Sequence, residues 1–450
     1  MHRFIVVGGG AGGLELATRL GDRYAPHKNK GAIQAQVTLV DRNPTHIWKP
    51  LLHEVAAGSM DPFTQELAYA AQARWHRFEF QQGELTGIDR TARRITLAPV
   101  IDDDGAELLP QRELDYDTLV IAIGSTTHFF GVKGAPEYSL ALDTVTQAER
   151  FRKRLIAACM RAEHQVHEPV EPVPDASVPS TEPRIQVAIV GGGATGVELS
   201  AELRNTAQVL SAYGLHKLDP RHDVGIVLIE AGPRILPALQ ERVSTATAEL
   251  LTKLGVKLMT GETVSEVAPG VVRTASGKAI RADLTVWAAG IKAPAILSQL
   301  DGLPVNRLGQ LIVRRTLQTE TDDNIFALGD CAACPWPGNE RNVPPRAQAA
   351  HQQASFLLKA LSARLENQPL PEFTYRDFGS LVSLGHFSAV GNLMGGVIGG
   401  NMLIEGLFAR FMYMSLYRLH IAALHGYARM VLDTFAHWLH RTTLPRVKLH

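Results

Sequence analysis

The chain has 450 residues, which is too long for one ordinary domain, so two or three hydrophobic cores are expected. Apolar residues make up 45% and charged residues 20%, as in soluble globular proteins, and the formal net charge of zero gives no electrostatic basis for nucleic-acid binding. The three cysteines, Cys159, Cys331 and Cys334, are too few for a secreted disulfide framework and are typical of a reducing compartment.

We expect no targeting signal in the first residues. An apolar run from Phe4 meets a glycine at Gly8, which leaves no room for a signal or transit peptide. No stretch approaches the roughly 20 uninterrupted apolar residues that a membrane-spanning helix needs. We therefore expect a cytosolic protein whose contact with any membrane is peripheral.

One sequence pattern occurs twice. Residues 4–20 read FIVVGGGAGGLELATRL, and residues 187–203 read VAIVGGGATGVELSAEL. Each copy has a β-branched run, a glycine turn and apolar residues at helical spacing, which predicts a strand, a tight turn and a helix. Each is followed by a second apolar run that ends in an acid, Asp41 in the first copy and Glu230 in the second.

The repeat suggests a division of the chain. Five prolines and several acids over 166–183 predict an extended, solvated linker. Further short strands are expected at 119–124, 284–290 and 325–330. We expect an α/β fold with two Rossmann-like dinucleotide-binding domains and a C-terminal amphipathic helical region. The expected bounds are 1–155 for the first part of the first nucleotide domain, 184–308 for the second, inserted domain, 309–385 for the return to the first, and 386–450 for the C-terminal helices.

The glycine spacing indicates what each turn binds. Gly8, Gly10 and Gly13 match G-x-G-x-x-G, in which the first glycine permits the turn, the second lets the backbone approach a pyrophosphate, and the third allows close helix packing. The same spacing is repeated by Gly191, Gly193 and Gly196. One such motif alone is weak evidence, since a structural turn is an alternative, whereas two copies with matching strands, helices and acids favour two dinucleotide sites.

The acids distinguish between cofactors. Asp41 and Glu230 can each accept hydrogen bonds from ribose hydroxyls, and a carboxylate at Glu230 would repel a 2′-phosphate. No arginine immediately follows Glu230, which favours NADH, although the nearby Arg234 leaves NADPH open. Two dinucleotides on one chain suggest a permanently bound FAD and an exchanging NADH, because a nicotinamide can stack on a flavin and deliver hydride to it.

Five segments together carry a family resemblance. In chain order they read GGGAGG, WKPLLHEVAAG, GGGATGVE, IFALGDCA and RAQAAHQQA. This order resembles the two-dinucleotide-binding-domain flavoproteins and, within them, the type II NADH:quinone oxidoreductases, which are single-subunit respiratory enzymes that do not pump protons. Residues 347–352, AQAAHQ, are similar to the A-Q-x-A-x-Q quinone-site pattern of that family. The resemblance implies bound FAD, NADH as donor, a membrane quinone as acceptor and a peripheral location on the cytoplasmic face of the inner membrane. It implies no metal, and it leaves a homodimer open.

The resemblance also assigns residues to the sites. The FAD residues are Gly8, Gly10, Ala11, Gly12, Gly13, Asp41, Arg42, Lys49, Pro50, Leu85, Gly124, Asp330 and Ala347. The residues assigned around NADH are Gly191, Gly193, Thr195, Gly196, Glu230 and Gly290. Glu198 is expected where nicotinamide, flavin and quinone meet, and Gln348 and Gln352 are expected to border the quinone pocket.

Elementary chemistry supports these catalytic assignments. Residues four apart share one helix face, and carboxamides can donate to a quinone or accept from a quinol without a change of charge. A carboxylate such as Glu198 can relay the protons that quinone reduction consumes. Two alternatives stay open. Gln348 and Gln352 could be solvent-facing helix residues, and an acid at the position of Glu198 could be partly structural, because Glu15 is its counterpart in the first repeat.

Other oxidoreductases of this architecture are the main rivals. Cys331 and Cys334 form a C-x-x-C, but no second such pair and no paired histidines supply further metal ligands, so a structural role is favoured. A disulfide reductase would carry a cysteine pair near residues 48–53, which read WKPLLH. A sulfide:quinone reductase and an apoptosis-inducing-factor-like redox scaffold stay as alternatives.

The C-terminal segment is apolar and basic. From residue 403 it reads LIEGLFARFMYMSLYRLHIAALHGY, with apolar residues at helical spacing. Its Lys and Arg residues are Arg410, Arg418, Arg429, Arg441, Arg446 and Lys448, against the acids Glu405 and Asp433. We expect residues 403–450 to lie on an anionic membrane surface. The alternative is that these helices pack on the protein or form a dimer interface.

Overall fold

The computed structural model describes residues 1–25, 34–164, 183–212, 217, 219–384, 389–393, 402–405 and 407–440. Its α-helices are α1 (Ala11–Tyr24), α2 (Leu52–Ala57), α3 (Tyr69–His76), α4 (Ala135–Tyr138), α5 (Val145–His164), α6 (Ala194–Ala212), α7 (Glu241–Lys253), α8 (Ala347–Leu365) and α9 (Leu407–His440). Its 3₁₀ helices are Lys49–Leu51, Pro62–Thr64, Ala295–Gln299 and Gly329–Cys331. Apart from Pro183, the expected linker lies outside the described residues.

The first glycine motif lies at the centre of a six-stranded sheet. Its strand, His2–Val7, pairs in parallel with Ala35–Asp41 on one side and with Thr118–Ile121 on the other. The order across the sheet is Gln318–Thr319, Asp322–Ala327, Thr118–Ile121, His2–Val7, Ala35–Asp41 and Glu79–Gln82. Phe4, Val6 and Leu39 are fully buried, as expected for parallel strands covered on both faces.

The second glycine motif lies at the centre of a five-stranded parallel sheet. Its strand, Ile185–Val190, pairs with Val224–Glu230 and with Leu284–Trp287. The order across the sheet is Leu140–Ala141, Leu284–Trp287, Ile185–Val190, Val224–Glu230 and Val256–Thr260. The first sheet is parallel except for its edge strand Gln318–Thr319, and the second is parallel throughout. The two sheets and their helices confirm the predicted α/β class with two Rossmann-like units.

The structure differs from the expected bounds at the first junction. Leu140–Ala141 is the edge strand of the second sheet, and the buried face of α5, including Phe151 and Leu155, belongs to the second core. Residues 140–155 therefore pack with the second unit, although the expected bounds place them in the first. We propose a boundary near residue 139, and the other bounds stay predictions.

Smaller sheets complete the fold, and their strands are antiparallel except in the parallel pair of Leu311–Ile312 with Ala332–Ala333. The three-stranded sheets are Arg112–Asp115, Arg94–Leu97 and Leu85–Asp89, then Val264–Ala268, Val271–Thr274 and Ala279–Arg281, and finally Gly379–Ser383, Ala389–Leu393 and Met402–Glu405. The two-stranded pairs are Thr126–Thr127 with Ile291–Lys292, Leu311–Ile312 with Ala332–Ala333, Thr45–His46 with Leu67–Ala68, and Val100–Ile101 with Glu107–Leu109. Residues 389–393 and 402–405 are strands, so the prediction of helices from residue 386 onward is wrong for them.

The last helix, α9, has two different halves. Its backbone leaves the helical conformation at Gly426, where φ is 79° and ψ is 163°. Before this break, His420 and Leu424 are buried, and Leu424 belongs to the core of the first unit. After it, large apolar side chains are exposed, namely Tyr427, Val431, Leu432 and Phe435. Among the described residues, no helix combines the length and apolar character needed to cross a bilayer.

Candidate active site

One cavity of about 1970 Å³ connects the two glycine motifs with the N-terminal end of α8. The site residues expected from the sequence that line it are Gly8, Gly10, Ala11, Gly12, Asp41, Arg42, Lys49, Pro50, Leu85, Gly124, Gly193, Thr195, Glu198, Gly290, Asp330, Ala347, Gln348 and Gln352. The expected residues that do not line it are Gly13, Gly191, Gly196 and Glu230. The three glycines of this second set act through packing, and Glu230 acts through the backbone, as described next.

Close backbone packing explains the glycines that lie behind the cavity wall. A Cβ on Gly13 would lie 1.9 Å from the Gly8 carbonyl oxygen, and one on Gly196 would lie 2.0 Å from the Gly191 carbonyl oxygen. Gly191 has a φ of +111°, which L side chains rarely adopt. The middle glycines, Gly10 and Gly193, have no atom within 4 Å of a Cβ position and are open towards the cavity.

The open turns fit dinucleotide phosphates. Helix α1 begins after Gly10 without a side-chain cap and without an acid in its first turn. The N–H groups of such a first turn have no partner within the helix, so they are available to an anion, and the helix dipole favours negative charge there. A bulkier residue at Gly10 would fill this space. The turn at Gly10 therefore fits the pyrophosphate of FAD, and the matching turn at Gly193 fits that of NADH.

Each motif is tied to its acid in the same way. Gly9 N–H donates to Asp41 Oδ2 at 2.6 Å, and Gly192 N–H donates to Glu230 Oε2 at 2.6 Å. The second oxygen of each acid accepts from the backbone two residues on, from Asn43 at 2.8 Å and from Gly232 at 2.7 Å. Burial raises the pKa of Asp41, although these bonds oppose the effect. The acids thus hold the glycine turns in place at the ends of their strands.

Arg234 is engaged within its own loop. Its guanidinium donates to the carbonyl oxygens of Leu239 at 2.9 Å and of Pro237 at 3.1 Å. Both of these residues line the cavity. Arg234 therefore uses two of its five N–H groups to hold a loop of the cavity wall.

A polar network lies where the resemblance places the flavin ring and ribityl chain. Lys49 Nζ donates to Asp143 Oδ1 at 2.9 Å and to the Ser125 carbonyl oxygen at 3.0 Å. Ser125 Oγ donates to Asp330 Oδ2 at 2.8 Å, and burial raises the pKa of Asp330. Gln353 Oε1 accepts from Gly329 N–H at 2.7 Å and so orients the turn that carries Asp330.

Glu198 reaches the same cavity from α6. Its Oε1 accepts a 3.0 Å hydrogen bond from the backbone N–H of Ser383. Its Oε2 lies 3.6 Å from His53 Nδ1, which itself donates to the Pro50 carbonyl oxygen at 2.9 Å. Burial lowers the pKa of His53 to about 4, so this imidazole is neutral at pH 7. Glu198 is therefore a buried carboxylate that borders the cavity beside a neutral histidine.

The carboxamides of Gln348 and Gln352 bind backbone. Gln348 Nε2 donates to the Gly379 carbonyl oxygen at 2.9 Å. Gln352 donates to the Arg376 carbonyl oxygen at 2.8 Å and accepts from the Arg376 N–H at 3.0 Å. Both glutamines line the cavity as expected, and their side chains also hold residues 376–379 against α8. A quinone would therefore have to share or replace these bonds.

Two buried or partly buried contacts that involve histidines were not predicted from the sequence. His351 Nδ1 is hydrogen-bonded to Glu15, and Glu15 also pairs with Arg19 at 2.7 Å. The spacing of Glu15 and Arg19 could have indicated the pair, because residues four apart are neighbours on a helix. In the second contact, His46 Nε2 lies 2.9 Å from His420 Nε2. These two residues are 374 positions apart, and no local signal in the sequence connects them.

The cysteines do not form a reactive pair. Cys331 and Cys334 are buried free thiols, and burial raises the pKa of each to about 12. Cys331 Sγ donates to the Leu328 carbonyl oxygen at 3.2 Å. Within the described ranges, no group of histidine, cysteine and acidic side chains could hold a metal ion. These thiols therefore act as small apolar core residues.

Comparisons with known proteins place the chain among flavoproteins. Residues 2–354 match the sequence profile of the family "Pyridine nucleotide-disulphide oxidoreductase". A Haemophilus influenzae protein named "Type II NADH:quinone oxidoreductase" is 44% identical over 451 residues, which cover 100% of each chain. A Staphylococcus saprophyticus protein of the same name is 29% identical over 88% of this chain and 91% of its own length.

Solved structures show the same fold at lower identity. NDH2 from Plasmodium falciparum in complex with NADH matches with a TM-score of 0.80 and 19% identity, over 100% of this chain and 99% of its own. The sulfide:quinone oxidoreductase from Aquifex aeolicus matches with a TM-score of 0.69 and 20% identity, over 95% of this chain and 92% of its own. Because these two proteins differ in their electron donors, the fold alone does not select a substrate.

Proposed function

Because the chain belongs to the pyridine nucleotide-disulphide oxidoreductases and, within them, to the type II NADH:quinone oxidoreductases, we propose that it oxidises NADH through FAD and reduces a membrane quinone without pumping protons. The observation that carries this conclusion is the 44% identity over the full length of both chains. The single cavity that joins both glycine motifs to the AQAAHQ helix supports it.

The rival chemistries lack their reactive group. A disulfide reductase needs a reactive cysteine pair beside the flavin, whereas Lys49–Leu51 and α2 contain no cysteine. The thiols at Cys331 and Cys334 are buried and protonated at neutral pH because burial raises the pKa of each to about 12. A sulfide:quinone reductase also depends on active-site cysteines. A scaffold of the apoptosis-inducing-factor type would not need the A-Q-x-A-x-Q helix on the cavity wall.

Bound FAD supplies the redox chemistry, because it can accept a hydride and give up two electrons. The chain's own residues bind and orient the substrates. The first-turn amides after Gly10 would hold the FAD pyrophosphate, and Lys49, Pro50 and Asp330 would border its ring and ribityl chain. Asp41 and Glu230 hold the phosphate turns, and they would also accept from the ribose hydroxyls. NADH is preferred over NADPH because the Glu230 carboxylate would repel a 2′-phosphate, while two N–H groups of Arg234 are held by carbonyl oxygens of its own loop.

Proton delivery is assigned to Glu198. Quinone reduction takes up two protons, and the carboxylate of Glu198 lies on the cavity wall, held by the Ser383 N–H. The Nδ1–H of the neutral His53 beside it donates to the Pro50 carbonyl oxygen, so the relay role is assigned to Glu198 rather than to His53. Gln348 and Gln352 border the quinone site. Their carboxamides bind the oxygens of the quinone in place of their backbone partners, the carbonyl oxygens of Gly379 and Arg376.

Membrane contact is assigned to residues 403–450, whose described part includes α9. After Gly426, the side chains of Tyr427, Leu432 and Phe435 are 57–69% exposed, an apolar face that can enter the interface. Arg429 lies on the same segment, with its guanidinium carbon 5.7 Å from the Trp75 ring centre. A basic, apolar helix favours an anionic surface, in keeping with the cytoplasmic face of the inner membrane.

An anaerobic titration tests the proposed function. Addition of NADH to the purified holoprotein should abolish the yellow flavin absorption, and addition of a short-chain quinone should restore it. NADPH should act much more slowly at equal concentration. A protein that stays colourless with added FAD, or a reduced flavin that a quinone does not reoxidise, would refute the proposal.

A further inference from the structure

The carbonyl group of Gly9, inside the first phosphate turn, is held by two donors. His46 Nδ1 lies 2.9 Å from the Gly9 oxygen, and the Tyr69 hydroxyl lies 2.8 Å from it. A Cβ on Gly9 would lie 2.3 Å from the Tyr69 hydroxyl oxygen, so only glycine permits this approach. His46 and Tyr69 are both buried. The orientation of the Gly9 carbonyl is therefore fixed from within the protein.

Fixing this carbonyl also fixes the next amide. The C=O of Gly9 and the N–H of Gly10 belong to one planar trans peptide, so they point in opposite directions. The Gly10 N–H therefore points away from His46 and Tyr69. Gly10 lines the cavity and precedes the first turn of α1, where amides are available to an anion.

The hydrogen bond to Gly9 determines the tautomer of His46. A carbonyl oxygen only accepts, so His46 Nδ1 must carry the proton. Burial lowers the pKa of His46 to about 4, so at neutral pH its Nε2 is an unprotonated acceptor. His420 Nε2, 2.9 Å away, must then be the N–H donor. A residue of the C-terminal helix thus donates to the form of His46 that holds Gly9, and so supports that form.

His420 is firmly packed where it makes this contact. It is 1% exposed, and its ring centre lies 4.2 Å from that of Trp48 and 5.3 Å from that of His351. The other titratable groups near it are His425 on its own helix and the Glu15 that binds His351. Burial lowers the pKa of His420 well below its usual value, so the pair with His46 is neutral.

We propose that His420 is a positioning residue for FAD: through His46 it holds the Gly9–Gly10 peptide in the orientation that presents the Gly10 amide to the cofactor. The proposal rests on FAD being bound at the first glycine motif. Because coupling between two events is reciprocal, docking of the N-terminal half of α9 and binding of FAD strengthen each other. The C-terminal helix is then part of the cofactor site as well as of the membrane surface.

The test compares three substitutions in one helix. His420→Leu removes the N–H donor and keeps an apolar side chain, and His420→Gln restores an N–H donor at a similar reach. His425→Leu is the matched control, because His425 lies on the same helix but its Nε2 lies 3.2 Å from Gln72 Nε2 and its ring contacts those of Trp75 and His76. The readout is the rate at which diluted holoprotein releases FAD, followed by the rise in flavin fluorescence.

We expect His420→Leu to release FAD about tenfold faster than the wild type, the effect of losing one buried hydrogen bond. His420→Gln and His425→Leu should stay close to the wild type. Equal release from His420→Leu and the wild type would overturn the proposal. Equal acceleration by His425→Leu would overturn it too, because packing of the helix would then explain the effect.

A second measurement needs no substitution. Hydrogen exchange of the amides at 417–425 should be slower in the FAD-loaded protein than in the same protein stripped of flavin. Identical exchange in both forms would contradict the coupling, whatever the fate of the variants. A wild-type protein that binds no FAD would instead refute the proposed function, so the two failures are distinguishable.

Discussion

At the scale of single residues, several partly buried polar side chains act through the backbone. Asp41 and Glu230 each accept from the N–H inside their glycine turn, and Gln348 and Gln352 bind the carbonyl oxygens at 376 and 379. A buried amide or carbonyl without a partner costs free energy, so these bonds stabilise turns that line the cavity. Residues of the site therefore serve structure and chemistry together.

Glu198 provides the first residue-scale prediction. Glu198→Gln keeps an oxygen that can accept from the Ser383 N–H but cannot release a proton. The rate of quinone reduction should fall by about a hundredfold or more, since general acid catalysis contributes that much, while reduction of the flavin by NADH is unchanged. Stopped-flow measurement of the two half-reactions separates them.

The matched control is Glu202→Gln, one turn further along α6. Glu202 is buried, like Glu198, but it does not line the cavity. Glu202→Gln should leave the rates of both half-reactions close to those of the wild type. The relay role would be wrong if Glu198→Gln kept both the rate of quinone reduction and its pH profile.

The buried histidines give a prediction about pH. Burial lowers the pKa of His53 to about 4 from the 6.5 expected in the unfolded chain. Between these values the unfolded state binds more protons, so stability is complete above pH 6.5 and is lost as the pH falls towards 4. From pH 7 to pH 5, the loss due to His53 is about 2 kcal/mol.

His53→Asn isolates this contribution. An asparagine can still donate to the Pro50 carbonyl oxygen, but it does not titrate. Between pH 7 and pH 5, the wild type should lose about 2 kcal/mol more unfolding free energy in urea than this variant. If the unfolding free energy fell equally in the two proteins between pH 7 and pH 5, His53 would not change its protonation on unfolding.

At the scale of elements, the central strands and the helices after the glycine turns were predictable. A continuous apolar run such as residues 4–7 is typical of a parallel strand buried on both faces, and the glycine spacing marks the turn that follows. Residues 389–393 and 402–405 were misread as helical, because a short apolar run near glycines has no periodicity that separates a strand from a helix.

The break in α9 predicts two different truncation phenotypes. A protein that ends at Gly426 loses the exposed residues Tyr427, Leu432 and Phe435 but keeps His420 and Leu424. Its affinity for anionic vesicles should fall by at least about a hundredfold, since each buried apolar side chain contributes about 2 kcal/mol, while it retains FAD. Co-sedimentation with vesicles and the flavin content of the pellet and supernatant measure both effects.

A protein that ends near residue 400 serves as the comparison. It loses Leu424 from the core of the first unit and His420 from its bond to His46, so it should lose FAD as well as membrane binding. Persistent sedimentation of the protein that ends at Gly426 would place the membrane contact elsewhere on the chain.

At the scale of the whole molecule, the paired nucleotide units could be predicted, but their joint cavity could not. The second copy of the glycine motif indicated two dinucleotide sites, whereas the position of residues 140–155 depends on long-range pairing with Leu284–Trp287. The contact between His46 and His420 likewise joins residues 374 positions apart. Such contacts follow from packing of whole units, which local periodicity does not encode.

The burial of the three cysteine thiols affects how this respiratory enzyme responds to thiol-reactive compounds. Burial raises the pKa of Cys159 to about 11 and those of Cys331 and Cys334 to about 12, so all three thiols are protonated and shielded at physiological pH. Peroxides, arsenicals and alkylating drugs act on exposed thiolates. Cells that meet these poisons would lose their dithiol-dependent reductases first, and would keep this route for discharging NADH.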